Sequence, residues 1–148
     1  AVRGVVDLRD ALTWYSGAMG ELEAALSSGN AARIGPPGGL YDNELFTEER
    51  GMMVVYVPVD APPTLGRVEP FVIPAIDMAT TMHVGSHDDI DVTYAALGAY
   101  VSQQALGVAG PVREIYHVGH RDTDDSSAWR TEIGWPIFRT AGGGHEDD

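Results

Sequence analysis

One acidic side chain lies in a stretch that otherwise has the pattern of a buried strand. The stretch GPVREIY (residues 110–116) places Glu114 and Tyr116 two residues apart, so both side chains project from one face of a strand. The carboxylate could be the counter-ion of a cationic ligand, and the phenol an aromatic wall or hydrogen-bond donor. The alternative is a surface glutamate that pairs with a neighbouring arginine such as Arg113. The strand pattern alone leaves both open.

An earlier stretch repeats this frame without the acid. GPPGGLY (residues 35–41) has the same Gly-Pro start and the same terminal tyrosine at the same spacing, with Gly39 where the second copy has Glu114. Tyr41 is then the counterpart of Tyr116. A duplicated frame that carries a carboxylate in one copy only predicts a site at the second copy.

Other side chains could complete the walls of such a site. Trp135 would offer a flat apolar surface to a planar ligand, although core packing is the commoner role of a strand tryptophan. Tyr41 and Tyr56 are the candidates from the first half of the chain. The flexible, polarisable side chain of Met19 could adapt to varied ligands. Met19 belongs, however, to an apolar stripe at helical spacing, and the residues of such a stripe more often pack in the core.

Metal, cofactor and nucleotide sites are not predicted. His83 and His87 are four residues apart, but Gly85 lies between them at a strand-to-helix turn, which is the wrong geometry for a metal pair. Helix capping by Ser86 or Asp88 is the better account of this segment. GPPGG lacks the lysine and the spacing of a phosphate-binding loop.

Composition limits the classes of partner. The 148 residues carry a net charge of −13, and such an acidic surface repels phosphate backbones, so direct binding of DNA or RNA is not expected. This charge would suit a cationic ligand, although acidic surfaces usually serve solubility. The chain has no cysteine, which makes the cytoplasm the default location, and no run of apolar residues approaches the length of a membrane span.

Two helices with the same inner stripe organise the chain. The first covers about residues 10–26, with Gly29 as a left-handed cap, and the second begins at Ser86 or Asp88 and ends by Gly107. Each stripe is spaced i, i+4, i+7 and i+11: Tyr15, Met19, Leu22 and Leu26, then Ile90, Tyr94, Leu97 and Val101. Strands are predicted through Leu40, Tyr41 and Phe46, and over residues 52–59, 71–84, 110–120 and 129–138.

The two halves align end to end, at about residues 1–60 and 68–140, joined by a proline-rich linker at 61–70. Each half reads strand–helix–strand–strand. The prediction is one α+β domain over residues 1–140: tandem βαββ repeats related by a pseudo-twofold axis, a mostly antiparallel sheet, two helices on one face and a ligand cavity between the halves. Residues 141–148 are expected to form a disordered tail.

The ordered set HVGS, DVTYAALGAYV, GPVREIY and TEIGWPI resembles the GyrI-like small-molecule-binding domain, also known as the effector-binding domain of AraC-type and MerR-type regulators. The resemblance covers nearly the whole chain. One departure is GSH at residues 85–87, where many members have Gly-Pro-Tyr. Members bind lipophilic, often cationic drugs against a carboxylate on the strand that corresponds to GPVREIY, and Glu114 stands at that place.

The resemblance implies two classes of function. The first is an effector-sensing domain of a bacterial transcription regulator, with a DNA-binding domain N-terminal to Ala1 in the full-length protein and a homodimer as one expected assembly, or else a stand-alone drug-binding protein. The alternative is a hydrolase of cyclopropane-bearing genotoxins, in which Glu114 would act as general base and Tyr116 as proton donor. A protein-binding module that mimics nucleic acid is a third, weaker idea.

Overall fold

The computed structural model of the chain describes residues 1–104 and 106–138. Within these residues one antiparallel sheet is covered on one face by two long helices. The strands are β1 (Val2–Asp7), β2 (Gly38–Tyr41), β3 (Arg50–Tyr56), β4 (Met78–Val84), β5 (Val112–Val118) and β6 (Arg130–Pro136). The helices are α1 (Ala11–Gly29), α2 (Asn43–Thr47) and α3 (Ile90–Gln103), with 3₁₀ turns at Leu8–Asp10, His87–Asp89 and Ser126–Ala128. The tail expected at 141–148 lies outside the described residues.

The strand order confirms the predicted repeat. The sheet runs β1-β3-β2-β5-β6-β4, so the first half contributes 1-3-2 and the second half its mirror order 5-6-4. The two halves meet where β2 pairs with β5, and there Gly39 lies directly opposite Glu114. The pseudo-twofold axis therefore passes through the position at which one frame carries Glu114 and the other carries Gly39.

Both long helices pack on the same face of the sheet, as predicted. The inner stripe of α1 covers β1 and β3, where Ala18, Met19 and Leu22 meet Val2 and Val55. The inner stripe of α3 covers the other half, where Leu97 and Val101 meet Ile133. Burial of a side chain such as Leu22, which is 3% exposed, contributes about 1.5–3 kcal/mol to stability. We call this helix-covered side the front face.

Three local predictions were wrong. Phe46 lies in α2, not in a strand, because the Asp-Asn-Glu run after Tyr41 disfavours extended pairing and begins a helix at Asn43. The segment 71–77 forms no strand, since Pro74 withholds a backbone donor from a ladder. The left-handed residue after α1 is Asn30, with φ of 52°, rather than Gly29. Gly29 is needed for another reason: a Cβ there would lie 2.7 Å from Cβ of Pro63.

The segment that joins β3 to β4 first packs against α1 through Pro63 and Val68 and then crosses the opposite face of the sheet, the back face. Glu69 exchanges backbone hydrogen bonds with Ala1, and the guanidinium of Arg3 lies 5.8 Å from the ring centroid of Phe71. Further along, Arg113 donates from Nη2 to the carbonyl of Pro74 at 2.7 Å. Arg113 is thus engaged on the back face, away from Glu114, because alternate residues of a strand face opposite ways.

Candidate functional site

Glu114 lies at the centre of the front face, between the two helices, and is 9% exposed. Its Oε2 accepts a hydrogen bond from the hydroxyl of Tyr94 at 2.5 Å, and its Oε1 accepts one from the hydroxyl of Tyr116 at 2.7 Å. The hydroxyls of Tyr116 and Tyr41 are 2.5 Å apart. Because the single proton of Tyr116 goes to Glu114, Tyr41 donates to Tyr116. The hydrogen bonds therefore form a chain in which Tyr41 donates to Tyr116 and Tyr116 donates to the carboxylate of Glu114.

The phenols around Glu114 stay protonated at neutral pH. Burial first and the nearby Glu114 carboxylate second raise the pKa of Tyr15 to about 12. Burial first and Glu114 second also raise the pKa of Tyr41, Tyr94 and Tyr116 well above the ordinary value. Each hydroxyl can consequently act as a donor. Since a carboxylate has about four acceptor positions and two are used by tyrosines, Glu114 keeps capacity for a ligand.

Gly39 makes room for this network. A Cβ on Gly39 would run into the hydroxyl and ring of Tyr41, which folds back over the glycine toward the axis. Tyr116 leans in the same way toward Glu114, two residues before it. The two equivalent tyrosines therefore meet hydroxyl to hydroxyl at the axis, and the glycine in one copy is what allows the contact.

A cavity of about 420 Å³ opens in front of Glu114, and we call it the Glu114 pocket. This volume is within the range of pockets that hold drug-sized ligands. Its lining is mostly aromatic or aliphatic, with Glu114 as its one acidic group: it includes Leu12, Tyr15, Tyr41, Phe46, Ile90 and Tyr116. The rings of Tyr15 and Tyr116 meet edge to face with centroids 5.7 Å apart. Aromatic walls around a carboxylate are the surroundings that a lipophilic cation requires.

His87 forms part of the same wall. Its Nε2 lies 2.9 Å from Oγ1 of the fully buried Thr131, and its ring centroid is 5.9 Å from that of Tyr116. Burial lowers the pKa of His87, an effect that Glu114 opposes and that His83 reinforces. The imidazole is therefore neutral at pH 7 and adds no competing positive charge to the pocket. Ser86 caps the turn that carries His87 by accepting from the Asp88 amide at 3.4 Å.

The residues named from the sequence are brought together only in part. Glu114, Tyr116 and Tyr41 form the hydrogen-bonded centre described above. Met19 is buried beneath α1 and lines a neighbouring groove. Trp135 packs under α3, where a Cβ on Gly98 would lie 3.2 Å from its ring, so it occupies the core position that the sequence also allowed.

Tyr56 lies on the back face. It pairs directly with Gly38, the neighbour of Gly39, and consequently points away from Glu114. A Cβ on Gly38 would meet the Tyr56 hydroxyl, so the two adjacent glycines each lie under one tyrosine, on opposite faces. Tyr56 lines a separate cavity with Phe71 and Ile73. The structure does not bring it to the Glu114 pocket.

Three polar residues of the site were not recognised in the sequence: Tyr15, Tyr94 and His87. Tyr15 and Tyr94 were assigned to the core stripes of the two helices. Their hydroxyls were the available signal, because a phenol on an otherwise aliphatic inner stripe needs a buried hydrogen-bond partner. His87 was considered only as half of a metal pair. Among the described residues, no three His, Asp or Glu side chains are placed to hold a metal ion.

A six-stranded antiparallel sheet with two helices over its seam, and a carboxylate set among phenols between them, defines a small-molecule-binding domain of the tandem βαββ class. The chain belongs to the GyrI-like family, whose model, described as the GyrI-like small molecule binding domain, matches residues 2–137. No curated protein sequence matches the chain significantly. No helix in the described part of the chain is long and apolar enough to cross a lipid bilayer.

Solved structures share this fold. The crystal structure of the EcmrR C-terminal domain aligns with a TM-score of 0.77 at 23% identity, over 94% of this chain and 89% of that one. EcmrR in its complex with DNA, solved by cryo-electron microscopy, aligns with a TM-score of 0.78 at 22% identity, over 94% of this chain and 53% of that one. SAV2435 bound to tetraphenylphosphonium aligns with a TM-score of 0.61 at 13% identity, over 99% and 90%.

Proposed function

We propose that this chain binds lipophilic aromatic cations between α1 and α3, with Glu114 as their counter-ion. The observation that carries the proposal is the 9% exposed carboxylate in an aromatic pocket, held by two phenol hydroxyls. A buried carboxylate without a basic partner attracts a cation, and tyrosine rings add cation–π attraction. The similarity to SAV2435, which was solved with a phosphonium cation, supports the same ligand class.

The biological setting is part of the proposal. EcmrR carries a domain of this fold at its C-terminus and was solved on DNA, and the present chain corresponds to about half of that chain. We infer that this chain is the effector-sensing domain of a transcription regulator, or a stand-alone drug-binding protein. In a regulator, the DNA-binding domain and the dimer contacts would lie outside this acidic domain, and the protein would act in the cytoplasm with its DNA. A helix-turn-helix in the upstream coding sequence would distinguish the two settings.

The test is a calorimetric titration with a matched pair of ligands. Methyltriphenylphosphonium carries a permanent positive charge, and triphenylphosphine oxide is neutral and of similar size. We expect Glu114→Gln to weaken binding of the cation by about 10- to 100-fold, since interactions with a charged group contribute about 1.5–3 kcal/mol. Binding of the neutral ligand should change little.

Glu132→Gln is the matched control. Glu132 lies on the adjacent strand and pairs with Ile115, so its carboxylate faces the back of the sheet. This variant removes one unit of negative charge without altering the Glu114 pocket. Equal loss of cation affinity in the two variants would mean that net charge, and not the buried carboxylate, attracts the ligand.

The hydrolase remains a prediction that no comparison supports. Glu114 retains free acceptor positions, which a general base needs. A carboxylate that only binds a ligand needs them as well, so this feature does not distinguish the two functions. Mass spectrometry after incubation with a cyclopropane-bearing substrate distinguishes hydrolysis from binding. A product that is heavier than the substrate by one water indicates hydrolysis, and unchanged substrate indicates binding alone.

A further inference from the structure

A larger groove adjoins the Glu114 pocket and is not used by the proposed cation site. It lies between α1 and the segment that joins β5 to β6, and its volume is about 740 Å³. The groove and the pocket share four wall residues, Leu12, Tyr15, His87 and Tyr116. Because both cavities touch the same side chains, the groove directly adjoins the Glu114 pocket.

The walls of the groove offer flat rings and uncharged hydrogen-bonding groups. The ring of Trp129 meets His87 edge to face with centroids 5.7 Å apart, and its Nε1 donates to the Thr123 carbonyl at 3.0 Å, which fixes the indole. Hydroxyls come from Ser16, Ser86 and Ser126. Rings held at fixed angles, with hydroxyls beside them, suit a planar group that carries polar atoms.

The charges of the groove do not favour an ion of either sign. Glu23 is paired with Arg33 at 3.2 Å, and Arg121 lies 3.8 Å from Asp122. Asp88 is on the rim beside His87. A second cation would meet Arg121, and an anion would meet Glu23 and Asp88. The groove therefore contrasts with the Glu114 pocket, in which the one acidic group has no basic partner among the described residues.

Leu12 marks the junction of the two cavities. It lines both, yet its side chain is 82% exposed, on the front of α1 next to Tyr15. An exposed leucine at the boundary between two concave surfaces can be covered by the apolar linker of a ligand that occupies both.

We propose that the groove is a second compartment of the ligand site, which takes the uncharged aromatic end of an elongated ligand whose cationic end lies at Glu114. This inference rests on the proposed cation site. It narrows the ligand class to molecules with two ring systems, one cationic and one neutral and hydrogen-bonding, joined by an apolar linker. Compact cations fill only the Glu114 pocket.

Two glycines of α1 provide a variant and its control. Gly20 lines the groove but not the Glu114 pocket, and Gly17 lines neither. A Cβ added to either meets no atom within 4 Å, so both sites accept a side chain without strain. Gly20→Trp fills the groove from the helix, and Gly17→Trp adds the same bulk to the same helix elsewhere. Ser16→Trp is a second blocking variant, since Ser16 also lines only the groove.

The ligands are methyltriphenylphosphonium and a series of triphenylphosphonium cations that carry a hydroxynaphthyl group on alkyl linkers of increasing length. We expect affinity for the wild-type protein to rise about tenfold at the linker length that reaches the groove. Gly20→Trp and Ser16→Trp should abolish this gain, and Gly17→Trp should preserve it. Methyltriphenylphosphonium should bind all four proteins equally.

The outcomes separate the two proposals. A gain that survives in Gly20→Trp and Ser16→Trp, or no gain at any linker length, would overturn the second compartment while leaving the cation site intact. Failure of methyltriphenylphosphonium to bind the wild type, or equal binding to Glu114→Gln, would instead refute the cation site itself.

Discussion

Glu114 accepts hydrogen bonds from two phenol hydroxyls, and it has no basic partner among the described residues. An arginine in that position would neutralise the pocket, whereas hydroxyls stabilise the carboxylate and leave its negative charge in place. No protein cation thus competes with a ligand for this carboxylate among the described residues. The tyrosines are suited to this task because burial and Glu114 both raise their pKa values, which prevents them from ionising.

The substitution Gly39→Ala tests whether a glycine is required at position 39 because the ring of Tyr41 packs over it. The added Cβ would collide with the Tyr41 hydroxyl and ring, so the tyrosine must leave Tyr116. We expect the free energy of unfolding to fall by about 1–3 kcal/mol, the usual cost of overpacking, as measured by urea denaturation.

A double-mutant cycle supplies the control. In a Tyr41→Val background the collision is gone, and the penalty of Gly39→Ala should largely disappear. If the penalty persists at full size without Tyr41, the glycine is required by the backbone and not by the tyrosine.

His87 should make stability sensitive to mild acid. Its pKa is lower in the folded chain than the ordinary value of about 6.5, because burial disfavours the charged ring. As pH falls below about 6.5, the unfolded chain therefore binds a proton before the folded chain does, and stability decreases. Above that pH both forms are neutral and the effect vanishes.

Urea denaturation at pH 7 and pH 5.5 measures this effect. We expect the wild type to lose more stability between the two values than His87→Gln does. His120→Gln is the control, because His120 lines the adjoining groove but not the Glu114 pocket. An equal loss in wild type and His87→Gln would contradict the prediction.

Among the secondary-structure elements, α1 carries glycines with opposite roles. Gly17 and Gly20 face open space, where a glycine only weakens the helix, whereas Gly29 lies against Pro63 of the crossing segment. Gly20 leaves its side of the ligand groove free of a side chain, whereas Gly17 lines neither cavity. Gly29 lets the return chain pack on the end of the helix, so one helix couples a binding wall to the connection between the halves.

Alanine substitution separates these roles. Gly17→Ala should raise the free energy of unfolding by about 0.5–1 kcal/mol through helix propensity. Gly29→Ala should lower it by about 1–3 kcal/mol, since its Cβ would lie 2.7 Å from Cβ of Pro63. Thermal or urea denaturation measures both changes, and a stabilising Gly29→Ala would show that the crossing segment yields easily.

Across the whole molecule, the duplicated halves build a nearly symmetric shell around an asymmetric centre. Strand order, helix stripes and the tyrosine pair follow the pseudo-twofold axis, but only one half supplies the acid at that axis. The β2–β5 seam therefore holds the fold together and also positions Glu114. A ligand in the Glu114 pocket would touch Tyr15 of α1 from one half and His87 and Ile90 from the other, which offers a physical link between occupancy and the relative placement of the halves.

The sequence alone was sufficient to predict the repeat and the α+β architecture, and it singled out Glu114 as the candidate site residue. These inferences use local patterns: helical stripes at i, i+4, i+7 and i+11, and a frame that recurs with the same Gly-Pro start and the same terminal tyrosine. Such patterns depend on neighbours within about ten residues, which is why they survive without a structure. Phe46 and the segment 71–77 were missed where short apolar runs did not distinguish a strand from a helix or an irregular chain.

Only the tertiary structure decided which aromatic residues meet the acid. Tyr94 reaches Glu114 from α3, whereas Tyr56 lies on the back face because it pairs with Gly38 and not with Gly39. A shift of one residue in strand register exchanges the two faces of a strand, and the uninterrupted apolar run at residues 52–59 does not show which side chains face the helices. The sequence therefore determined the carboxylate, and the pairing of strands and docking of α3 determined the tyrosines that surround it.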